Sequence, residues 1–300
     1  MNIDVELMKH QWTRTSNAFV PRNNVIKIDS VFFQNELKVT ERVKTIRYYQ
    51  LWFDILHKHT PLKIGEMDER IMYQHEIQYE ERKKAFLCEY PSKLKRCDLF
   101  DFLSNLPTEK LTIFHLFDSF QHLLNSIDIL SRNNLAFFSI SPEDIVIGEH
   151  LKPMLQNFDK CCFLDHANQV CQENEYNSFE SRVMCYLTKN NCASLSITNI
   201  EDICNGYSRE YVDYLSNFIN QPSAVIVQTL VSRSKSWSKC SLALVYLRLI
   251  DEVYEGFSLK YKFMCEFINL LHQMTRMVHR LSDTHEIQTQ LKLMDFTSFS

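Results

Sequence analysis

The sequence has 300 residues, of which 45% are hydrophobic and 23% charged, which is ordinary for a globular protein with enough apolar material for a core. Its formal net charge of -4 at pH 7 gives no reason to expect nucleic acid or an anionic membrane as a partner. Because the N-terminus lacks a signal-peptide pattern and no apolar run approaches the ~20 residues that span a bilayer, we predict an intracellular protein without a membrane anchor.

The first ninety residues are predicted to combine strands with one helix. Val25 to Ile28 form a short β-branched run between polar residues, which predicts a strand. From about residue 33 to residue 57 the sequence lacks glycine and proline and favours a helix with a moderately apolar face. Residues 61–67 and 85–90 favour extended structure.

The rest of the chain is predicted to be mainly helical. Apolar residues at helical spacing predict one long amphipathic helix, whose stripe comprises Ile113, Leu116, Phe117, Phe120, Leu123, Leu124, Ile127 and Leu130. Two further stripes run from Leu242 to Val253 and from Phe263 to Leu281, and all three are expected to be core faces. Residues 136–147 are predicted to form two short strands around a loop, so the layout as a whole predicts an α+β fold.

The cysteine and glycine content limits the kinds of functional site that the chain can form. The ten cysteines are expected to be reduced thiols, since no secretion signal is visible. Their spacing does not repeat the paired cysteines of a zinc site, even in the group of Cys161, Cys162, His166, Cys171, Cys185 and Cys192. Only four glycines are present, which argues against a function that needs a glycine-rich phosphate loop.

The segment between the two predicted short strands carries the most informative motif. Residues 135–147 read Leu-Ala-Phe-Phe-Ser-Ile-Ser-Pro-Glu-Asp-Ile-Val-Ile and follow the long amphipathic helix. Asn157-Phe158-Asp159 comes further along the chain. In their order these segments resemble the catalytic loop and the Asp-Phe-Gly metal motif of protein kinases.

Weaker matches extend this resemblance in both directions. The strand around Lys27 is similar to the kinase strand that supplies the phosphate-contacting lysine, with Glu36, or alternatively Glu41, as its acidic partner. Residues 13–20 stand where a kinase has its glycine-rich loop. The other matching segments are residues 85–90, 98–103, 178–180 and 238–243, followed by Arg280.

The resemblance implies a two-lobed protein-kinase-like fold that forms one domain. Its reduced N-terminal β-lobe would comprise residues 1–89, and its larger, mainly helical C-terminal lobe residues 90–300. It also implies a structural ion pair between Glu180 and Arg280. Several segments are similar to the divergent kinase-like proteins of large DNA viruses, an origin that would place the chain in the cytoplasm of an infected host cell.

The resemblance places altered residues at the positions that carry chemistry. Ser139 stands at the catalytic aspartate, Ser141 at the loop lysine and Asn157 at the metal-binding aspartate. Ser238 replaces the aspartate that anchors the catalytic loop, and the phosphate-loop glycines are replaced by Thr13, Thr15 and Ala18. Because losing a general base typically costs ~10²–10⁴ in rate, these changes predict a pseudokinase without efficient phosphotransfer.

The sequence leaves open whether the chain binds a cation or ATP at the positions that resemble a kinase site. Asp144 stands at the amide position of the metal site, so Asp144, Asn157 and Asp159 are candidate ligands for one cation. Lys27 and Glu36 are either the remnant of an ATP pocket or an ion pair that ties strand to helix. No cofactor is expected, although weak binding of ATP and Mg²⁺ is left open.

Three hypotheses follow for the whole chain. The preferred one is a pseudokinase that acts as a protein-binding or regulatory module, with a protein partner that the sequence does not identify. The first alternative is an atypical serine/threonine protein kinase that uses Asp144 or Asp159 for residual ATP-dependent phosphotransfer. The second is a non-kinase α+β protein.

Overall fold

The computed structural model describes residues 12–15, 18–21, 24–62, 85–90, 98–147, 151–164, 174–253, 261–277 and 279–294. The strands are β1 (Trp12–Thr15), β2 (Ala18–Pro21), β3 (Asn24–Ile28), β4 (Lys58–Leu62), β5 (Ala85–Glu89), β6 (Leu135–Phe137), β7 (Ile145–Ile147), β8 (Pro153–Leu155) and β9 (Cys161–Phe163). The helices are α1 (Val31–Lys44), α2 (Leu99–Ser104), α3 (Glu109–Arg132), α4 (Phe179–Lys189), α5 (Ile197–Ile203), α6 (Arg209–Ser216), α7 (Ser223–Val231), α8 (Trp237–Val253), α9 (Lys262–Thr275) and α10 (Thr284–Leu293). The predicted α+β layout is confirmed, whereas the division into two lobes at residues 89 and 90 stays a prediction.

The strands form four small antiparallel sheets. β1 and β2 form a hairpin, and β3, β5 and β4 form a three-stranded sheet in that order. Further along the chain, β6 pairs with β9 and β7 pairs with β8. The two short strands predicted around the loop are therefore present, but each pairs with a later strand and not with the other.

Helix α1 begins where Ser30 caps it and ends earlier than predicted. The Ser30 hydroxyl accepts a hydrogen bond from the Phe33 amide at 3.1 Å, as serine N-caps do. The predicted continuation to residue 57 is wrong, because the helix ends at Lys44. Tyr48 then adopts a left-handed φ of 59°, and the chain beyond it pairs with β8, where the Asp54 amide donates to the Leu155 carbonyl.

The main core lies between helices α3, α8 and α9. All eight apolar residues of the predicted α3 stripe are buried in it, so that prediction is confirmed. The α8 and α9 stripes are buried as well, although the predicted extension of α9 to Leu281 is wrong because the helix ends at Thr275. Leu281 still packs into the core from the segment after the helix, while the side chains of Val253 and Val278 lie outside the described residues.

Helix α1 is joined both to the sheet and to the main core. Val39 and Val43 on one face belong to the main core, whereas Phe33 belongs to a small cluster against the three-stranded sheet. The Asn35 side chain donates to the backbone carbonyls of Asp159 at 3.2 Å and Cys161 at 2.6 Å. These contacts fix the segment that contains Asp159 against the N-terminal helix.

The cysteines of the described residues are all free thiols. Adjacent Cys161 and Cys162 alternate along β9, so that Cys161 packs into the main core and Cys162 into a second cluster around Trp237. His166 and Cys171, which belong to the group whose spacing argued against zinc, lie outside the described residues. None of the helices that the structure describes combines the length and apolar character needed to cross a bilayer.

Candidate functional site

The candidate site is built around the loop that connects β6 to β7. Phe138 to Ser141 are buried and have no regular secondary structure, and Pro142–Asp144 form a single 3-10 turn that leads into β7. Proline at the first position of the turn fixes φ there at no hydrogen-bonding cost. Ser139, Ser141 and Asp144 are all buried, so this polar loop depends on internal hydrogen-bond partners.

Two serines near the start of α8 supply some of those partners. The Ser238 hydroxyl accepts from the Phe137 amide at 2.9 Å and donates to the Phe137 carbonyl at 3.2 Å. The Ser241 hydroxyl makes the same pair of bonds with Ile140, at 2.6 and 3.0 Å. The prediction that Ser238 marks a lost anchor is therefore wrong: the serine anchors the loop itself, because a hydroxyl both donates and accepts.

Replacing Ser238 by alanine should lower the free energy of unfolding by about 1–3 kcal/mol, because it leaves the buried Phe137 amide and carbonyl without this partner. Urea unfolding of the two proteins measures the difference. Ser232→Ala is the control, since the Ser232 hydroxyl is exposed and bonds only within its own turn, to Thr229. Equal, small losses in both variants would show that the Ser238 bonds do not hold the loop.

Asp144 is fully buried and accepts hydrogen bonds through both carboxylate oxygens. Its Oδ2 accepts from the Ser141 amide at 2.8 Å and from the Ser141 hydroxyl at 2.6 Å. Its Oδ1 accepts from Asn157 Nδ2 at 3.0 Å, which brings the two predicted metal positions into direct contact. Asn157 reaches this position from a residue with a left-handed φ of 56°, a conformation that asparagine tolerates better than most residues.

Lys160, which the sequence analysis did not single out, provides the positive charge for this carboxylate. Its Nζ lies 2.9 Å from Oδ2 and 3.1 Å from Oδ1 of Asp144, and 3.2 Å from Oε1 of Glu143. Burial opposes the charged form of Lys160, but Asp144 and Glu143 outweigh it and raise the pKa of the ammonium group. The one sequence signal for this role is a lysine directly after Asn157-Phe158-Asp159.

Ser139 lies apart from this ion pair. It is completely buried, and its hydroxyl accepts a hydrogen bond from Asn174 Nδ2 at 2.9 Å. The neighbouring Phe138 packs edge-on against Trp237 in the second apolar cluster. Ser139 therefore has a structural setting, with no solvent access for a substrate group in this conformation.

The predicted pair of Lys27 and Glu36 is formed. Lys27 Nζ lies 2.6 Å from Glu36 Oε2, so the strand β3 and the helix α1 are linked by a nearly buried salt bridge. Glu41, the alternative partner, instead pairs with Lys44 on the exposed face of α1. The Tyr90 hydroxyl, at the end of β5, donates to the second Glu36 oxygen at 2.9 Å and so completes a three-residue cluster.

Asp159 interacts electrostatically with the Lys27–Glu36 pair and with the Asp144–Lys160 pair. Burial is the main cause that raises the pKa of Asp159 from its ordinary 3.8 to about 6. The carboxylates of Glu36 and Asp144 add to this rise in the pKa, whereas the ammonium groups of Lys27 and Lys160 oppose it. The Asp159 carboxylate is thus influenced by the charges of both the Lys27 pair and the Asp144 pair.

Asp159→Asn should therefore stabilise the fold at pH 7 by about 1–3 kcal/mol. Since the folded state holds this proton more tightly than the unfolded chain, the contribution of Asp159 to wild-type stability falls as pH rises from about 4 to about 6. The gain in the variant should vanish below pH 4, where Asp159 is protonated in both states. Thermal unfolding from pH 3.5 to 8 measures this, with the exposed Asp213→Asn as control, and a pH-independent difference would contradict it.

The Glu180–Arg280 pair is also formed. Arg280 Nη2 lies 2.9 Å from Glu180 Oε2, and both side chains are buried. Arg280 also donates to the Ser236 hydroxyl at 3.1 Å and to the Arg276 carbonyl at 2.7 Å. The expectation that Arg280 lies within the last core helix is wrong, because α9 ends at Thr275. The pair joins the first turn of α4 to the segment after α9.

The remaining predicted positions are described only in part. Thr13 and Thr15 lie in β1, and Ala18 in β2 faces Thr15 across the hairpin, but their side chains lie outside the described part of the chain. Across the residues that the structure describes, no three His, Cys, Asp or Glu side chains are grouped so as to hold a metal ion. The mixed set of Asp144, Asn157 and Asp159 contains only two carboxylates, and as a cation site it stays a prediction.

Comparisons with known proteins give a structural likeness only. No protein-family model matches the sequence. No curated protein matches it either. Among solved structures, the chain resembles two double-mutant forms of the PknI kinase domain of Mycobacterium tuberculosis. The first has 10% identity and a TM-score of 0.47 over 90% of this chain and 84% of that chain; the second has 8% identity and a TM-score of 0.44 over 90% and 83%.

Proposed function

We propose that the chain is a pseudokinase, a kinase-like protein that acts as a protein-binding or regulatory module without efficient phosphotransfer. The observation that carries this proposal is the burial and hydrogen bonding of Ser139. The sequence resemblance places this residue at the position of the catalytic base. Its hydroxyl is completely buried and accepts a hydrogen bond from Asn174. A serine hydroxyl is not a proton acceptor at neutral pH, so a substrate hydroxyl would meet no general base there.

The two ion pairs support the same proposal. Lys27–Glu36 ties β3 to α1, and Glu180–Arg280 ties α4 to the segment after α9. Both pairs are largely buried, and each is satisfied by protein groups alone. They stabilise the shape of the molecule without requiring a bound substrate, which is what a module selected for binding needs. The protein partner, the viral origin and the cytoplasmic location stay predictions.

One observation favours the atypical serine/threonine kinase as a second candidate. Asp159 is a carboxylate with a raised pKa of about 6, next to the Lys27 and Lys160 ammonium groups. A general base works best when its pKa lies near the working pH. In this alternative, Asp159 takes the role that Ser139 cannot fill, and Lys27 contacts the phosphates.

A transfer assay separates the two candidates. The protein is incubated with Mg²⁺, γ-labelled ATP and a generic protein acceptor, beside an active protein kinase as positive control. We expect no label above that of a heat-denatured sample. Transfer by the wild-type chain that disappears in Asp159→Asn would overturn the pseudokinase proposal. This variant keeps the hydrogen-bond acceptor for the Lys160 amide, so a loss of transfer is not a loss of fold.

A further inference from the structure

The carboxylate of Asp144 needs a positive charge beside it. It is completely buried, and an ionised carboxylate in such a place is stable only when it is paired and fully hydrogen-bonded. Hydrogen bonds from Ser141 and Asn157 occupy part of its acceptor capacity. The only full charge in contact with it among the described residues is the Lys160 ammonium group.

The oxygens around this ammonium group are those that a hard cation prefers. Lys160 Nζ lies 2.9 and 3.1 Å from the two Asp144 oxygens, 3.0 Å from the Ser141 hydroxyl and 3.2 Å from a Glu143 oxygen. Two carboxylates and a hydroxyl would also suit Mg²⁺ or Mn²⁺, which take oxygen ligands. An ammonium group has three N–H donors, so four oxygens saturate it.

We propose that Lys160 is the resident cation of this site, and that its ammonium group takes the place of a divalent ion and keeps the oxygens from binding one. Lys160 is positioned for this by its own backbone, because its carbonyl accepts from the Phe138 amide at 2.9 Å. A cation tethered in this way does not have to be recruited from solution, so a free ion would have to compete with an intramolecular partner.

This role of Lys160 rests on the proposed function and explains why the site would not support phosphotransfer. Phosphoryl transfer needs a metal ion that neutralises the phosphates, and a site already filled by an amine does not recruit one. The site is then a closed structural unit that holds the turn at Phe158–Lys160 against the loop at Pro142–Asp144.

Removing the amine should open the site to a metal ion. Lys160→Met keeps most of the side-chain length and leaves the oxygens of Asp144 and Glu143 without their cation. In a titration with Mn²⁺, followed by the paramagnetic signal of the free ion, we expect this variant to bind one ion and the wild type none at this site. At a metal concentration 100 times the dissociation constant, the unfolding temperature of the variant should rise by roughly 5 °C.

Three variants serve as controls. Lys160→Arg keeps a cation and should behave like the wild type. Lys152→Met removes a half-exposed lysine that pairs with Asp118, and it should gain no metal. Asp144→Asn combined with Lys160→Met should lose the Mn²⁺ gained by the single variant. Should Lys160→Met not fold, Lys160→Gln gives the same comparison, because it also removes the positive charge beside Asp144.

The outcomes of the Mn²⁺ titration can be distinguished from those of the phosphotransfer assay. Equal Mn²⁺ binding by the wild type and the variant, or no binding by a variant whose circular dichroism shows it folded, overturns the inference. Retention of Mn²⁺ by the double variant overturns it as well. Phosphotransfer by the wild type would instead overturn the proposed function and leave the Mn²⁺ result standing, because the titration contains no nucleotide.

Discussion

Replacing Arg280 by methionine is expected to lower the free energy of unfolding by about 3–5 kcal/mol, the usual loss when one partner of a buried ion pair is removed. Glu180 exposes 1% of its side chain and Arg280 only 6%, so the remaining carboxylate would be left buried without a cation. The Ser236 hydroxyl and the Arg276 carbonyl would lose a donor as well. Chemical unfolding in urea measures the loss.

An exposed arginine provides the matched control. Arg248 exposes 47% of its side chain and pairs with Glu175 and Glu252, so Arg248→Met should cost far less stability than Arg280→Met. Changing both partners, with Glu180→Leu added to Arg280→Met, should recover much of the loss, since no buried charge remains. An Arg280 variant that loses no more stability than the Arg248 variant would refute a stabilising role for the pair.

The secondary structure predicted from the sequence agrees best with the observed structure where a local residue pattern determines it. The α3 stripe was predictable because apolar residues at helical spacing must share one face, and all eight of them are buried. The end of α1 was not predictable in this way. Residues up to 57 are compatible with a helix, but the chain at Trp52–Asp54 pairs with Leu155, a contact about a hundred residues away that no local pattern encodes.

The candidate site shows the same contrast between local pattern and tertiary placement. Lys27–Glu36 and Glu180–Arg280 were expected from the motif order, and both pairs are formed. Lys160 was missed because nothing in the sequence around it shows which side chain its ammonium group contacts. That contact depends on how the turn at Phe158–Lys160 packs against the preceding loop.

Ser238 was misinterpreted for a different reason, since the absence of an aspartate at this position was taken as the loss of the anchor. A carboxylate only accepts hydrogen bonds, whereas the Ser238 hydroxyl accepts from one backbone group of Phe137 and donates to the other. The anchor is therefore kept by a smaller side chain with a different hydrogen-bond capacity. Where the sequence resembles a kinase motif, the role of a residue in this chain has to be judged by the bonds that its side chain makes.

Replacing Lys27 by methionine is the second change with a large expected effect, a loss of about 3 kcal/mol in the free energy of unfolding. Glu36 exposes 1% of its side chain, and without Lys27 its carboxylate would keep, among the groups that the structure describes, only the hydrogen bond from Tyr90. Burial opposes the charge on Lys27, but Tyr90, Glu36 and Asp159 together raise the pKa of Lys27 above its usual range. Lys58→Met, on strand β4 of the same sheet, is the control because Lys58 exposes 63% of its side chain.

The same variant decides whether the pair is a structural tie or part of a nucleotide pocket. A ligand at 100 times its dissociation constant adds ~2.7 kcal/mol to stability, which a thermal-unfolding titration detects. For a structural tie, millimolar ATP should shift neither the wild type nor Lys27→Met, with or without Mg²⁺. An ATP shift in the wild type and in Lys58→Met that is absent in Lys27→Met would instead assign the Lys27 ammonium to the phosphates. A shift that also required Mg²⁺ would argue against Lys160 as the resident cation, because the site would then still recruit a metal ion.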